Sequence, residues 1–322
     1  MKKALKLWLV IGVLLVLIGG AVFGGVMMVL KWDFAKLSTD RYETNDYTVD
    51  EAFRSIAVDT QTAEVVFVPS EDGACRVVCY ENKKVRHSVS VTDGVLTVRA
   101  VDSRKWYEHI SLFGFSSPKL TVYLPLEAYA ALSVKGSTGA VEIPDDFGFE
   151  NIDVSVSTGN VTCLASASVG AKITASTGSI EVRDASFGAL ELSVSTGTVT
   201  VFGVDCTGDI SIDVSTGKMQ LTDVTCKNLI SEGSTGDIFL KNVIASERFS
   251  IERDTGDVKF DGCDAAELFI ETDTGDVEGS LLTEKVFVAK SDTGRIRVPS
   301  SVTGGRCEIT TDTGNIRISL LQ

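Results

Sequence analysis

Apolar and polar residues alternate in a repeating pattern over residues 132–322. The triplet Ser/Asp-Thr-Gly occurs ten times there, always 19 or 20 residues apart. Aligned on the glycine, the repeats show four apolar columns, seven and five residues before it and two and four residues after it. Of these 40 positions all but Ser231 and Gly279 are apolar, whereas a 44% hydrophobic chain would place about 18 apolar residues there by chance. The turn glycines are Gly139, Gly159, Gly178, Gly197, Gly217, Gly236, Gly256, Gly275, Gly294 and Gly314.

Each repeat therefore predicts two short strands on either side of a Thr-Gly turn. Alternate side chains of a strand point to opposite faces, so the four columns face the same interior. A single repeat cannot bury both strands, but stacked repeats form two parallel sheets with facing apolar columns. We predict an all-β fold, a parallel β-solenoid of ten coils stacked in chain order. We expect a left-handed backbone at the turn glycines.

An uncharged apolar run from Leu7 to Leu30 predicts a transmembrane helix. At about 1.5 Å per residue it is about 36 Å long, enough to cross a bilayer. Three lysines among the first six residues favour a cytoplasmic N-terminus and an extracellular body. The alternative is a signal peptide cleaved near residues 19–21, although the apolar run continues well past that point. Gly20 and Gly24 have the spacing of a helix-dimer contact.

The rest of the chain divides around these two features. We predict a cytoplasmic tail over residues 1–6, the helix over 7–30 and a polar tether over 31–52. Residues 53–131 alternate less regularly, which predicts an irregular β region that caps the solenoid at 132–322. An aromatic segment in this region is interpreted either as a flap over the open end of the core or as a loop that contacts a partner or a membrane. If the segment is a contact loop, the residues expected to contact the partner are Trp106, Tyr107, Phe113 and Phe115.

These features resemble the bacterial putative-adhesin family of β-strand repeats, which includes LiaG-like envelope proteins. The resemblance rests on the N-terminal anchor, the Ser/Asp-Thr-Gly-x-Ile/Val repeats and the strand Leu120–Pro125 that leads into the first coil. It covers residues 53–322. The resemblance implies a surface interaction without defining a ligand, and some members look like accessories of the cell-envelope stress response. It supplies no catalytic residues.

The net charge of the chain restricts the kinds of partner that it can bind. A formal net charge of −14 argues against nucleic acid, because phosphate binding needs clustered Lys and Arg. Without the three N-terminal lysines, the rest of the chain has a formal net charge of −17. We therefore expect its partner to be a cationic ligand, a protein or a wall polymer. The chain has two histidines, His87 and His109, so a His-rich metal site is not expected.

Four of the ten turns begin with aspartate in place of serine, at Asp254, Asp273, Asp292 and Asp312. Asp-Thr-Gly is also the signature of aspartic proteases, but its recurrence at the repeat spacing favours a structural turn. Stacked carboxylates about 4.8 Å apart repel each other and suit a hard cation. We therefore predict weak Ca²⁺ binding by these aspartates and expect no other cofactor.

The chain has seven cysteines, an odd number for an extracellular body. Cys163 and Cys307 fall in inward columns and are interpreted as small buried apolar residues. Cys206 and Cys226 each follow their turn glycine by nine residues, which predicts neighbours within disulfide reach in adjacent coils. No Cys-x-x-Cys pair is present, so we expect no zinc site.

We therefore expect a non-catalytic, membrane-anchored extracellular scaffold with an adhesin-like role, with the envelope stress response as one setting for it. All informative residues are explained by folding, and no nucleophile, base and oxyanion donor converge. The alternative is a polysaccharide-acting enzyme on the outer face of a β-helix. That activity would require two carboxyl groups about 5 to 9.5 Å apart in a cleft.

Overall fold

A computed structural model describes residues 2–32, 41–105 and 117–321. The predicted contact residues Trp106, Tyr107, Phe113 and Phe115 lie outside these ranges.

The chain begins with one helix, α1, at Lys2–Val29. Its segment Lys6–Val29 has a mean hydropathy of 2.7 and is long and apolar enough to cross a membrane. A helix that is apolar on all sides is typical of a membrane span, although a signal sequence has the same properties. A Cβ built at Gly20 or Gly24 would have no heavy atom of another described segment within 4 Å.

The remainder of the described chain consists of 23 strands in a cap and ten coils, each coil numbered by its turn glycine from Gly139 in coil 1 to Gly314 in coil 10. The cap strands are β1 Tyr42–Val49, β2 Ser55–Thr60, β3 Glu64–Pro69, β4 Cys75–Asn82, β5 Val85–Thr92, β6 Val95–Asp102 and β7 Lys119–Leu124. The strands of coils 1 to 8 are β8 Ala128–Thr138, β9 Val141–Ile143, β10 Gly148–Thr158, β11 Val161–Cys163, β12 Ser166–Arg183, β13 Ser186–Phe187, β14 Leu190–Cys206, β15 Ile210–Glu232, β16 Ile238–Thr255, β17 Val258–Cys263, β18 Glu267–Thr274 and β19 Val277–Leu281. The last two coils contain β20 Lys285–Thr293, β21 Ile296–Arg297, β22 Gly305–Thr313 and β23 Ile316–Leu320.

The coils pair in parallel and in register, which confirms the predicted β-solenoid. The turn glycines of paired coils lie side by side, as the pairing of Gly178, Gly197 and Gly217 shows. The apolar columns form one continuous core along the rod. The two columns that carry Cys163 and Cys307 are inward, and both cysteines are fully buried as predicted.

The cap extends both sheets of the solenoid beyond coil 1. On one side β2 pairs in parallel with β8 and with β6, and β5 pairs antiparallel with β6. On the other side β3 pairs in parallel with β9 and with β7, and β4 lies antiparallel between β7 and β1. The tether expected at 31–52 is therefore wrong over β1. Its polar composition hid a strand whose Tyr47 and Val49 still face the core.

The last two coils do not stack in chain order, which corrects the predicted arrangement. Strand β22 of coil 10 pairs with β18 of coil 8 on one side and with β20 of coil 9 on the other. Coil 10 is thus inserted between coils 8 and 9, and coil 9 forms the end of the rod. This order fully buries the inward Cys307 and Ile309 of coil 10 and leaves Phe287 of coil 9 only partly covered. The edge of coil 9 exposes Val288 and Ile296.

Close backbone packing explains the turn glycines. Gly217 has a φ of 145°, and a Cβ there would collide with the carbonyl oxygen of Gly197 in the preceding coil. Gly275 lies outside the positive-φ region, yet its Cβ would collide with the carbonyl oxygen of Gly256 in the same way. The left-handed backbone predicted for all ten turns is therefore wrong at Gly275, Gly294 and Gly314, none of which lies in the positive-φ region. The constraint shared by the turns is the direct stacking of one turn on the next.

Both exceptions in the apolar columns have a structural explanation. Gly279 lies in register with Phe260, and a Cβ at Gly279 would overlap the phenylalanine ring. Ser231 is fully buried, and its hydroxyl contacts Met219 Sδ at 3.4 Å. The glycine thus makes room for a large neighbour, and the serine hydroxyl is placed against a polarisable sulfur.

One arginine lies inside the rod. Arg253 is 1% exposed, and its Nη1 donates a hydrogen bond to the Val214 carbonyl at 2.7 Å, past the side-chain-free position of Gly233. Burial lowers the pKa of Arg253. Among the described residues, no hydrogen-bond partner lies near its Nε or Nη2. Regular strand pairing is interrupted between the end of β15 and the start of β16. The Arg253 guanidinium supplies a hydrogen-bond donor to the Val214 carbonyl there.

Candidate functional site

Four exposed aspartates form an edge of the rod, which we call the acidic edge: Asp254, Asp273, Asp312 and Asp292 in spatial order. The predicted contact between Asp273 and Asp292 is wrong, because the inserted coil 10 places Asp312 between them. Asp292 Oδ1 lies 3.1 Å from Lys290 Nζ. Within the described ranges, no basic group lies within ion-pair distance of the other three carboxylates.

A second polar column follows the turn glycines, and we call it the capping column: Asp237, Asp257, Asp276 and Asn315. Each side chain accepts a hydrogen bond from a backbone N–H of the next coil. Asp237 Oδ1 accepts from Asp257 at 3.1 Å, and Asp257 Oδ1 accepts from Asp276 at 3.0 Å. Asp276 Oδ1 accepts from Asn315 at 2.7 Å. These carboxylates therefore join coils together, whereas those of the acidic edge face solvent.

The hydrogen bonds of the capping column also lower the pKa of one carboxyl group, that of Asp257. The backbone N–H of Asp276 and the Lys259 ammonium, whose Nζ lies 2.9 Å from Asp257 Oδ2, lower the pKa of Asp257. Both donors stabilise the ionised form. Asp257 is thus held as a carboxylate by its structural role.

A buried polar cluster in the cap was not identified from the sequence. Among the described residues, Cys79, Glu81 and His87 offer three metal-ligating atoms that all lie within 4.8 Å of one another. Glu81 Oε2 lies 2.6 Å from His87 Nδ1, and Glu81 Oε1 accepts a hydrogen bond from Asn45 Nδ2 at 2.6 Å. His87 Nε2 lies 3.0 Å from Thr60 Oγ1. Each of the three side chains is at most 5% exposed.

The topology of the cap assembles this cluster. Cys79 and Glu81 are alternate residues of β4 and face inwards together, while His87 faces them from β5 in the opposite sheet. The sequence signal was a glutamate in the inward register of an apolar strand, at Cys79-x-Glu81. Burial raises the pKa of the Cys79 thiol to about 12, and the nearby carboxylate of Glu81 adds to the shift.

No disulfide joins the seven cysteines, all of which lie in the described residues. All seven thiols are buried and free. Cys206 and Cys226 follow the paired residues Asp205 and Thr225, so they occupy neighbouring positions in adjacent coils as expected. Burial raises the pKa of Cys226 to about 12, which disfavours the reactive thiolate.

The outer face contains a shallow groove of about 440 Å³ across coils 5 to 8. Two carboxyl groups line it, those of Asp261 and Glu278. Asp261 Oδ1 accepts a hydrogen bond from Ser280 at 2.9 Å, and Glu278 Oε1 lies 2.6 Å from Arg317 Nη1. Both carboxyl groups already have structural partners, so this groove does not favour the enzymatic alternative.

A parallel β-solenoid preceded by an apolar helix defines the class of this protein, and comparison identifies its family. The chain belongs to the Toastrack DUF4097 family, whose model matches residues 53–213 and 204–322. No curated protein matches the chain.

Several solved structures are similar over most of their length. A "putative adhesin" from Bacteroides fragilis is 16% identical, with a TM-score of 0.41 over 87% of this chain and 97% of the other. A "putative adhesin" from Parabacteroides distasonis is 10% identical, with a TM-score of 0.46 over 87% and 98% of the two chains. A "putative lipid binding protein" from the same species is 10% identical, with a TM-score of 0.38 over 88% and 98%.

Proposed function

We propose that this protein is a non-catalytic scaffold anchored in the cell membrane by α1, and that its acidic edge binds a cationic partner. The partner would be a basic protein segment or peptide at the cell surface, and an accessory role in the envelope stress response would fit such binding. Contact between two α1 helices through Gly20 and Gly24 belongs to the same proposal.

The observation that carries this proposal is the arrangement of Asp254, Asp273 and Asp312. They are exposed, lie in adjacent coils and have no ion-pair partner within the described part of the chain. Adjacent carboxylates about 4.8 Å apart repel each other by about 0.9 kcal/mol in water. A bound cationic segment would relieve this repulsion, and the fixed spacing would favour a partner with several positive charges.

We expect replacement of these three aspartates by serine to weaken cation binding at least several-fold. Serine occupies the same position in six other turns, so the substitution preserves a turn that the rod already uses. Binding would be measured at low salt with a fluorescent oligolysine peptide, because surface electrostatics are screened within about 10 Å at 0.1 M salt.

The control is a variant with the same loss of charge elsewhere, Asp50→Ser, Asp145→Ser and Asp146→Ser, at three exposed positions. It should bind the peptide as the unaltered chain does at equal salt. Equal weakening in both variants would show that only net charge matters, and the acidic edge would lose its role. Calorimetry of the acidic-edge variant and of the control variant at millimolar Ca²⁺ tests the predicted calcium binding. The heat of calcium binding should be lost only in the acidic-edge variant.

A further inference from the structure

We propose that Cys79, Glu81 and His87 form a zinc-binding site in the cap. The site is independent of the acidic edge and of any surface partner. It would take Zn²⁺ as a bound structural ion at the end of the core formed by β4 and β5.

The donor set identifies the metal. A thiolate sulfur, an imidazole nitrogen and a carboxylate oxygen are the three ligand types that zinc binds in proteins. Calcium and magnesium prefer oxygen ligands alone, which this site does not provide. The charges of Zn²⁺, the Cys79 thiolate and the Glu81 carboxylate sum to zero when His87 is neutral. A neutral assembly is favoured here because all three side chains are buried.

The surrounding hydrogen bonds orient the three ligands, as the hydrogen-bond partners of metal-bound side chains usually do. Thr60 Oγ1 contacts His87 Nε2 at 3.0 Å, and Asn45 Nδ2 holds Glu81 Oε1 at 2.6 Å. These contacts leave His87 Nδ1 and Glu81 Oε2 directed towards each other and near the sulfur of Cys79. Metal-bound histidines usually donate their second N–H to such a partner, which fixes the ring and its tautomer.

Binding needs only proton loss and coordination. The Zn–S bond forms as the Cys79 thiol releases its proton to solvent. In the zinc-bound state, His87 would coordinate through Nδ1 and donate its Nε2–H to Thr60 Oγ1. Glu81 coordinates through Oε2, which exchanges its contact with Nδ1 for the metal. A polar cavity of about 50 Å³ lined by Glu81 and His87 has room for a water molecule as the fourth ligand.

The test uses the full chain in detergent, stripped with a chelator and titrated with Co²⁺ as a spectroscopic substitute for zinc. We expect one equivalent to bind, with a sulfur-to-cobalt charge-transfer band and the visible bands of four-coordinate cobalt. Addition of Zn²⁺ should remove both. Cys79→Ser should abolish the charge-transfer band. Thr60→Val should weaken binding by about 10- to 100-fold, because it removes the hydrogen bond that orients the His87 ring.

Cys75→Ser is the matched control. Cys75 is buried on the same face of β4, but it does not belong to the cluster. Its variant should retain the full cobalt spectrum. Circular dichroism of each variant verifies that the solenoid is folded.

X-ray absorption of the zinc-loaded unaltered chain gives a result that requires no variant. We expect one sulfur at about 2.3 Å and nitrogen or oxygen ligands at about 2.0–2.2 Å. A shell without sulfur, binding of less than one equivalent, or a charge-transfer band that survives Cys79→Ser would each overturn the proposal.

Discussion

At the scale of single residues, aspartates only three positions apart in the sequence have different structural roles. Asp254 begins a turn and faces solvent, whereas Asp257, three residues later, accepts the backbone N–H of Asp276. Asn315 occupies the same capping column and accepts the N–H of Arg295 at 3.1 Å. An acceptor oxygen is therefore what this column requires, and the negative charge is secondary.

We expect Asp257→Ala to destabilise the rod by about 0.5–1.5 kcal/mol, the usual contribution of one hydrogen bond. Asp257→Asn keeps the acceptor and should lose much less at neutral pH. The pKa of Asp257 is lowered in the folded chain, so its ionic stabilisation is complete above the ordinary value of 3.8 and disappears as pH falls through the folded pKa.

Thermal unfolding from neutral pH to about pH 3 measures both effects. The stability advantage of the unaltered chain over Asp257→Asn should shrink at acid pH. A constant difference over that range would show that the carboxylate charge contributes nothing at this position.

At the scale of elements, the order of the coils is the main departure from the sequence-based prediction. Thr313 of coil 10 is paired with Thr274 of coil 8 and with Thr293 of coil 9. Neighbouring strands of a sheet are about 4.8 Å apart, whereas coils 8 and 9 are separated by twice that distance. The two orders therefore predict different cross-links.

We expect Thr274→Cys with Thr313→Cys to form a disulfide on mild oxidation. Thr274→Cys with Thr293→Cys should not, since disulfides require Cα atoms about 4.4–6.8 Å apart. Mass spectrometry of the digested chain identifies the linked peptides. Cross-linking of the second pair and not of the first would restore the stacking in chain order.

The sequence predicts most of the coil and little of the cap cluster, for physical reasons. Period-two burial identifies which side chains face inwards, so the column of Val161 and the other inward columns could be predicted residue by residue. Repeats of equal length fit one another equally well, so the pattern cannot order coils 9 and 10. It also cannot show which strands face each other across the core. His87 meets Cys79 only because β5 and β4 join opposite sheets.

At the scale of the whole molecule, the rod has two different ends. The cap covers one end with antiparallel strands, and α1 precedes the cap in the sequence. The other end is the edge of coil 9, where backbone groups and Val288 are exposed. Open sheet edges pair readily with other strands, so a solenoid normally protects them. In a membrane-anchored protein, fixing one end to the bilayer would leave the opposite end free for contacts.

We expect α1 to remain in the mature protein and to place the solenoid outside the cell. An epitope at the C-terminus should be digested by protease added to intact bacterial cells, while an N-terminal epitope should be protected until the membrane is permeabilised. The two epitopes on one chain serve as controls for each other. Recovery of a chain that begins near residue 21 in the medium would instead establish a cleaved signal peptide.

The inserted coil has a consequence for synthesis. Coil 9 leaves the ribosome before coil 10, yet in the described structure its strands β20 and β21 pair only with strands of coil 10. The end of the rod therefore cannot be completed in the order in which it is made. If coil 9 docks on coil 8 during translation, it must be displaced before the final twenty or so residues can enter. A translation product that stops short of coil 10 offers coils 8 and 9 only each other, and would settle as a shorter rod with a different final pairing.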